Sequence, residues 1–118
     1  SFSEAVTTAL EKKSCKVFKT AKIVDAISKM KNQKFDLIIL DMKLEGGSGE
    51  QVISFARNNK GFNLETPMLI ISGFLDPSLI KRVGTQVNGI LVKPFDTQVF
   101  MERFEAILAS PKRRMASN

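Results

Sequence analysis

Three uninterrupted apolar runs, each preceded by a segment with helical periodicity, most constrain the fold of this chain. The runs are Leu37–Leu40, Met68–Ile71 and Ile90–Val92. A strand that is apolar at every position is typical of a parallel sheet with helices on both faces, because neither side of the strand meets water. The sequence therefore predicts an α/β fold built on a parallel sheet.

Helical spacing of apolar residues predicts five helices, at 2–13, 22–32, 49–59, 77–83 and 97–109. Ser1 with Glu4 and Ser48 with Gln51 have the spacing of capping boxes, and Asp76 before Pro77 is a further helix start. A short strand is also predicted at 15–19, so that helices and strands alternate from end to end. Such alternation favours right-handed crossovers between parallel strands.

The totals indicate one domain in a reducing compartment. The chain has 118 residues, one cysteine and no histidine, so an internal disulfide and Ser-His or Cys-His nucleophile chemistry are excluded. Cys15 is predicted to be a small core residue. No apolar run is long enough to span a bilayer, and we expect a cytoplasmic protein. The chain begins with Ser1 instead of Met, which indicates a processed product or a fragment. Residues 1–109 are expected to form the module and residues 110–118 a basic, disordered tail.

The net charge of +6 is concentrated at the two ends. Residues 1–34 contain eight lysines and three acids, whereas residues 35–111 contain seven basic and nine acidic residues. Basic ends can attract nucleic acid or an acidic partner. Because no aromatic residues were found interleaved with this charge, we interpret it as a solvated surface and do not expect nucleic-acid binding.

One polar residue directly follows each of the three apolar runs: Asp41, Ser72 and Lys93. The carboxyl ends of parallel strands meet at one edge of a sheet, where ligands bind in such folds. A carboxylate can attack a phosphoryl group, while an amine and a hydroxyl balance the transferred charge. The alternative is structural, with Asp41 capping the next loop and pairing with Lys93. The residues alone leave both interpretations open.

Taken together, several motifs resemble the receiver domain of bacterial response regulators. They are the run 35–41 ending in Asp41, Gly49, the segment 70–73 and the segment 91–95 with its Lys93-Pro94 pair. The resemblance covers nearly the whole chain and implies a flavodoxin-like fold that accepts phosphate on Asp41. It further implies that Ser72 is the switch hydroxyl, Lys93 contacts the phosphate, the Lys43 carbonyl joins Asp41 in binding Mg²⁺, and the Lys93–Pro94 bond is cis.

The chain departs from that family at its start. The family's first strand, which is central and ends in two adjacent acids that hold Mg²⁺, is absent from this sequence, and Glu4 is the nearest acid in the opening helix. The strand can precede Ser1, come from another molecule, or be replaced by a rearranged sheet. We therefore expect weak or no Mg²⁺ binding. Ile90 also stands where the family commonly has an aromatic residue.

The resemblance implies a signalling module and no enzyme. Its partners would be a histidine kinase or phosphotransfer protein and an output protein or effector domain, with a homodimer or strand exchange as a further expectation. The face of the fourth helix, fifth strand and fifth helix would dock the output, with contributions from Lys81, Arg82, Phe95, Gln98 and Arg103. The alternatives are a phosphorylation-independent pseudo-receiver and, third, a basic nucleic-acid-binding protein. A Rossmann-type cofactor binder is not expected, because the sequence has no glycine-rich turn after any predicted strand.

Overall fold

The computed structural model describes residues 4–58, 61–74 and 76–116. The capping box predicted at Ser1 lies outside these residues. The helices are α1 (Glu4–Lys12), α2 (Ile23–Asn32), α3 (Gly49–Asn58), α4 (Pro77–Val83) and α5 (Thr97–Ala109). The strands are β1 (Ile38–Asp41), β2 (Lys43–Leu44), β3 (Gly47–Ser48), β4 (Met68–Ser72) and β5 (Gly89–Val92). All five helices occur within a few residues of their predicted bounds.

The main sheet has three parallel strands in the order β1-β4-β5. Its apolar strands alternate between two cores. Met68 and Ile70 of β4 face the core that α2, α3 and α4 cover, whereas Leu69 and Ile71 face the core that α1 and α5 cover. All four of these side chains are at most 3% exposed. Helices therefore cover both faces of the sheet, which confirms the predicted parallel α/β architecture.

The strand predicted at 15–19 is wrong, because residues 15–20 have no regular secondary structure. Cys15 and Val17 are half-buried against the same core as Leu37 and Ile39, which agrees with the core position predicted for Cys15. A strand also needs a neighbouring strand to accept its backbone hydrogen bonds. The strand order makes β1 an edge of the sheet, and no strand within the described residues bridges it to this segment.

The loop predicted after Asp41 contains a small antiparallel hairpin. Lys43 of β2 pairs with Ser48 of β3, and Gly46, in the turn between them, has a φ of 95°. Few residues other than glycine adopt that value without strain. The hairpin ends in the predicted capping box, since Ser48 Oγ accepts the Glu50 N–H and Gln51 Oε1 accepts the Ser48 N–H, both at 3.0 Å.

Buried polar side chains fix the opposite ends of the strands. Asn63, which is 3% exposed, donates to the carbonyls of Met30 and Gln33 and accepts the Phe35 N–H. Arg57 in the last turn of α3 donates to four carbonyls, at distances between 2.6 and 3.0 Å. They belong to Asn63, Leu64, Thr66 and Gln86. Three of these bonds are part-buried and satisfy loop carbonyls, of which Asn63 O also accepts the Thr66 N–H.

Residues 110–116 lie against the loop before β5, in contrast to the disordered tail that the sequence predicts. The Met115 N–H donates to Val87 O, and the Asn88 side chain donates to the carbonyls of Pro111 and Arg113. Asn88 Oδ1 accepts a hydrogen bond from Arg114 at 2.8 Å. The composition of the segment suggested disorder, because it does not reveal hydrogen-bond partners that lie far away in sequence.

Candidate functional site

Two of the three predicted residues are in direct contact at the carboxyl edge of the sheet. Asp41 is the last residue of β1, and Lys93 directly follows β5. Lys93 Nζ lies 2.8 Å from Asp41 Oδ2, and the two side chains are 32% and 24% exposed. A charge-assisted hydrogen bond of this length in a half-buried site is stronger than a surface ion pair.

The second carboxylate oxygen of Asp41 is held by the backbone. The Lys43 N–H donates to Asp41 Oδ1 at 2.9 Å. Burial raises the pKa of Asp41, but the hydrogen bond and charge of Lys93 and the Lys43 N–H outweigh it, so the pKa lies below its ordinary value. Asp41 is therefore ionised at neutral pH and positioned by two donors on different elements.

Ser72, the last residue of β4, faces the loop that follows it. Its Oγ donates to Phe74 O at 2.9 Å and is 3.5 Å from the Phe74 N. The Lys93 N–H donates to Ser72 O at 2.8 Å, so the backbones of the two residues are hydrogen-bonded although the Ser72 hydroxyl bonds to Phe74 O. Ser72 is thus at the predicted edge of the sheet, with its hydroxyl engaged locally.

The connection after β5 has the cis Lys93–Pro94 peptide that the resemblance implied. Phe95 and Phe100 then stack with ring centroids 6.1 Å apart. Phe100 is fully buried, so this contact anchors the segment that carries Lys93 to α5. Ile90 is 8% exposed and belongs to the core that α2, α3 and α4 cover.

The described residues do not assemble a set of magnesium ligands. Mg²⁺ prefers six oxygen ligands, supplied by one or two carboxylates, carbonyls and waters. Here Asp41 offers the carboxylate, and both its oxygens already accept hydrogen bonds, one from a cation. Lys43, the predicted carbonyl ligand, is paired in the β2–β3 hairpin, and Glu4 is an exposed residue at the start of α1. Within residues 4–58, 61–74 and 76–116, no three His, Cys, Asp or Glu side chains cluster as metal ligands do.

Sequence reasoning missed the hydrogen-bond partners that position the site. The Lys43 N–H on Asp41 and the Phe74 carbonyl on Ser72 are backbone groups, which carry no sequence signal. Arg57 and Asn63, which fix the far ends of the strands, appear in the sequence as ordinary polar residues of a helix end and a loop. Their roles depend on contacts made only after the chain folds.

Comparison with known proteins identifies the family of the chain. The family model described as the response regulator receiver domain matches residues 1–105. The cell cycle response regulator CtrA of Brucella ovis is 27% identical over 111 residues, which are 93% of this chain and 47% of that protein. The CtrA protein of Brucella suis matches equally well. The chain thus spans about half the length of the curated relatives it matches.

Solved structures share the fold. The non-phosphorylated HemR receiver domain of Leptospira biflexa superimposes with a TM-score of 0.80 at 21% identity, covering 90% of this chain and 84% of that one. The receiver domain of the sensor histidine kinase PA1611 of Pseudomonas aeruginosa, which has a magnesium ion in its active site cleft, gives 0.77 at 18%, with 90% and 87% covered. At such identities the likeness concerns the fold. Among the described residues, no helix has the length and apolar character needed to cross a membrane.

Proposed function

The chain belongs to the response regulator receiver domain family of two-component signalling, and on that premise we propose that Asp41 is its phosphoryl acceptor. The observation that carries the proposal is the 2.8 Å contact between Lys93 Nζ and Asp41 Oδ2 at the carboxyl edge of the sheet. Receiver domains are signalling modules, and the activity proposed here is the gain and loss of one phosphoryl group.

In the proposed reaction, a carboxylate oxygen of Asp41 attacks the phosphorus of a donor. A P–O bond forms to Asp41, the bond from phosphorus to the donor breaks, and the donor leaves with that electron pair. The low pKa of Asp41 keeps the nucleophile ionised. Lys93, already in contact with the carboxylate, would move its ammonium group to a phosphoryl oxygen and balance the new charge. Ser72 would exchange its bond to Phe74 O for a phosphoryl oxygen.

No step of this reaction is assigned to Mg²⁺, because the described residues offer a single carboxylate at the site. We propose that the chain binds the ion weakly, with Asp41 and the Lys43 carbonyl as its ligands. The second candidate function is a pseudo-receiver that acts by association without phosphate, and it is favoured by the donors that Lys43 and Lys93 already place on both Asp41 oxygens.

Incubation with acetyl phosphate followed by intact-mass measurement tests the proposal. The wild-type chain should gain one phosphoryl group, and Asp41→Asn should gain none. Ser72→Ala should still gain the group, because the hydroxyl contacts the product and does not attack. Failure of the wild-type chain to gain mass, with added Mg²⁺ and without it, would favour the pseudo-receiver.

The proposed partners follow from the family and from the surface. A histidine kinase or phosphotransfer protein would supply the phosphoryl group, and an output protein or effector domain would receive the signal. Of five residues expected on the output face, Lys81, Arg82 and Gln98 are exposed. Three have local contacts: Arg82 pairs with Glu50, Phe95 stacks on Phe100, and Arg103 donates to Ile90 O.

The edge of β1 carries a further part of the proposal. The N–H groups of Ile38 and Met42 donate to the carbonyls of Pro67 and Ile71. In a parallel ladder the N–H and C=O of Ile39 therefore point away from β4. An apolar edge of this kind is suited to accept another strand. We propose that a homodimer or strand exchange forms there at high concentration, and that the module proper comprises residues 1–109 with residues 110–118 appended.

A further inference from the structure

One surface of the chain combines unpaired lysines with an exposed aromatic ring. It comprises Lys16, Phe18, Lys19, Lys22 and Lys29, and is called the Phe18 face here. Phe18 is 43% exposed, and its ring meets that of Phe35 edge to face at 5.8 Å. Lys16 Nζ and Lys29 Nζ lie 5.2 and 5.6 Å from the centre of the Phe18 ring. The premise that no aromatic residue accompanies the basic charge is therefore wrong.

Lysines outnumber the acids near this face, which are Asp25 of α2 and Glu45, whose backbone bridges to that of Lys22. Within the described residues, the ion pairs are Lys13–Glu105, Arg82–Glu50 and Lys93–Asp41, and none involves the Phe18 face. A cleft of about 390 Å³ lies among the lysines of this face. Its lining has three lysines and one acid, Asp25, and consists of Lys19, Thr20, Ala21, Lys22, Asp25, Ser28 and Lys29. The field in this cleft is positive and favours an anionic guest.

The position of the lysines indicates which anion fits. Nucleic-acid bases bind exposed aromatic residues by stacking on a free ring face. Two ammonium groups already lie within cation–π distance of Phe18, so a base would have to displace a lysine in order to stack. Carboxylate side chains would reach the same lysines without displacing them, while aliphatic atoms of the partner cover the exposed part of the ring.

We propose that the Phe18 face is a docking surface for an acidic segment of a partner protein, separate from the Asp41 site. The segment would place two or more carboxylates over Lys19, Lys22 and Lys29 and an apolar side chain against Phe18. Such interactions are screened by salt and raise the association rate more than the lifetime of the complex.

A fluorescent acidic peptide with one central leucine serves as the probe, and its anisotropy is measured with the 118-residue chain at low salt. We expect a micromolar Kd and no binding of the matching peptide with Gln in place of each acid. The double variant Lys22→Glu and Lys29→Glu should weaken binding at least about tenfold. The matched control, Lys12→Glu and Lys112→Glu, changes the net charge equally at exposed positions and should change Kd less than about twofold.

Equal weakening by both double variants would overturn the proposal, because binding would then follow net charge. Tighter binding of oligo-dT than of the peptide would overturn it in favour of a nucleic-acid surface. Amide chemical shifts of the wild-type chain give a second measurement that needs no variant. Shifts centred on residues 16–29 are expected on adding the peptide, and shifts confined to other surfaces would contradict the assignment.

Discussion

The Asp41–Lys93 pair should make the free energy of unfolding depend on pH. Lys93→Met removes the ammonium group but keeps an unbranched side chain of similar length. Asp41 then retains the Lys43 N–H and loses the donor at Oδ2. Burial, which raises the pKa of Asp41, is then opposed only by the remaining donors, so the pKa of Asp41 should rise in the variant.

The magnitude follows from the geometry of the pair. The contact is 2.8 Å, with side chains 32% and 24% exposed. Exposed ion pairs contribute up to about 1 kcal/mol, and hydrogen bonds to charged groups about 1.5–3 kcal/mol. Because a quarter to a third of each side chain is exposed to water, we expect a coupling free energy of about 1 kcal/mol near neutral pH.

The sign of the pH dependence follows from the lowered pKa of Asp41. A carboxyl group with a lower pKa in the folded state contributes stability that is complete above its unfolded pKa. That stability is lost as the pH falls through the folded value, which lies below 3.8. The coupling between positions 41 and 93 should therefore be present near neutral pH and disappear in acid.

Urea unfolding of the wild type, Asp41→Asn, Lys93→Met and the double variant measures this coupling in a double-mutant cycle. The measurement is repeated down to the lowest pH at which all four chains remain folded. A coupling close to zero near neutral pH, or one that stays constant as the acid limit is approached, would refute the reasoning. Equal slopes of the unfolding free energy against urea show that the four chains unfold comparably.

Three further predictions concern other parts of the chain. Arg57→Met removes the side-chain donor to four carbonyls, of which Asn63 O keeps the Thr66 N–H and Leu64 O is reached by an exposed bond. It should lower the free energy of unfolding by about 3 kcal/mol. A loss below about 1 kcal/mol in urea unfolding would contradict this role. Asn88→Ala removes the donor to Pro111 O and Arg113 O. Hydrogen exchange at the Met115 and Ala116 amides should therefore accelerate while α5 stays protected. Unchanged exchange would show that Asn88 does not hold the segment. Isothermal titration with Mg²⁺ should give a millimolar or weaker affinity, and a micromolar one would show that further ligands exist.

The parallel sheet and its helices could be predicted from the sequence because their signals are local. The apolar run of β4 is buried at every position, as a strand covered on both faces must be. Asp76 caps α4 by accepting the Ser78 N–H at 2.9 Å, and Asp96 caps α5 in the same way through Val99. Such caps depend on residues within one turn, so their spacing indicates them directly.

Features that depend on distant partners were not predictable. The segment 15–19 is rich in strand-forming residues, yet it is not a strand because pairing needs a neighbour that local sequence does not specify. The basic segment 110–116 likewise looks disordered by composition, and its order depends on Asn88 and on the carbonyls of Val87 and Gly84. In the site, the spacing predicted the meeting of Asp41 and Lys93 but not the orientation of Ser72, which Phe74 O determines.

The central claim is that Asp41 accepts the phosphoryl group, and the residue that carries the modification tests it most directly. After incubation with acetyl phosphate, borohydride reduces an acyl phosphate to an alcohol, and peptide mass spectrometry then locates the altered residue. We expect that position 41 alone is reduced, and that Lys93→Met lowers the yield at that position. Reduction at another acid, or an unmodified Asp41 in a chain that has gained a phosphoryl group, would contradict it.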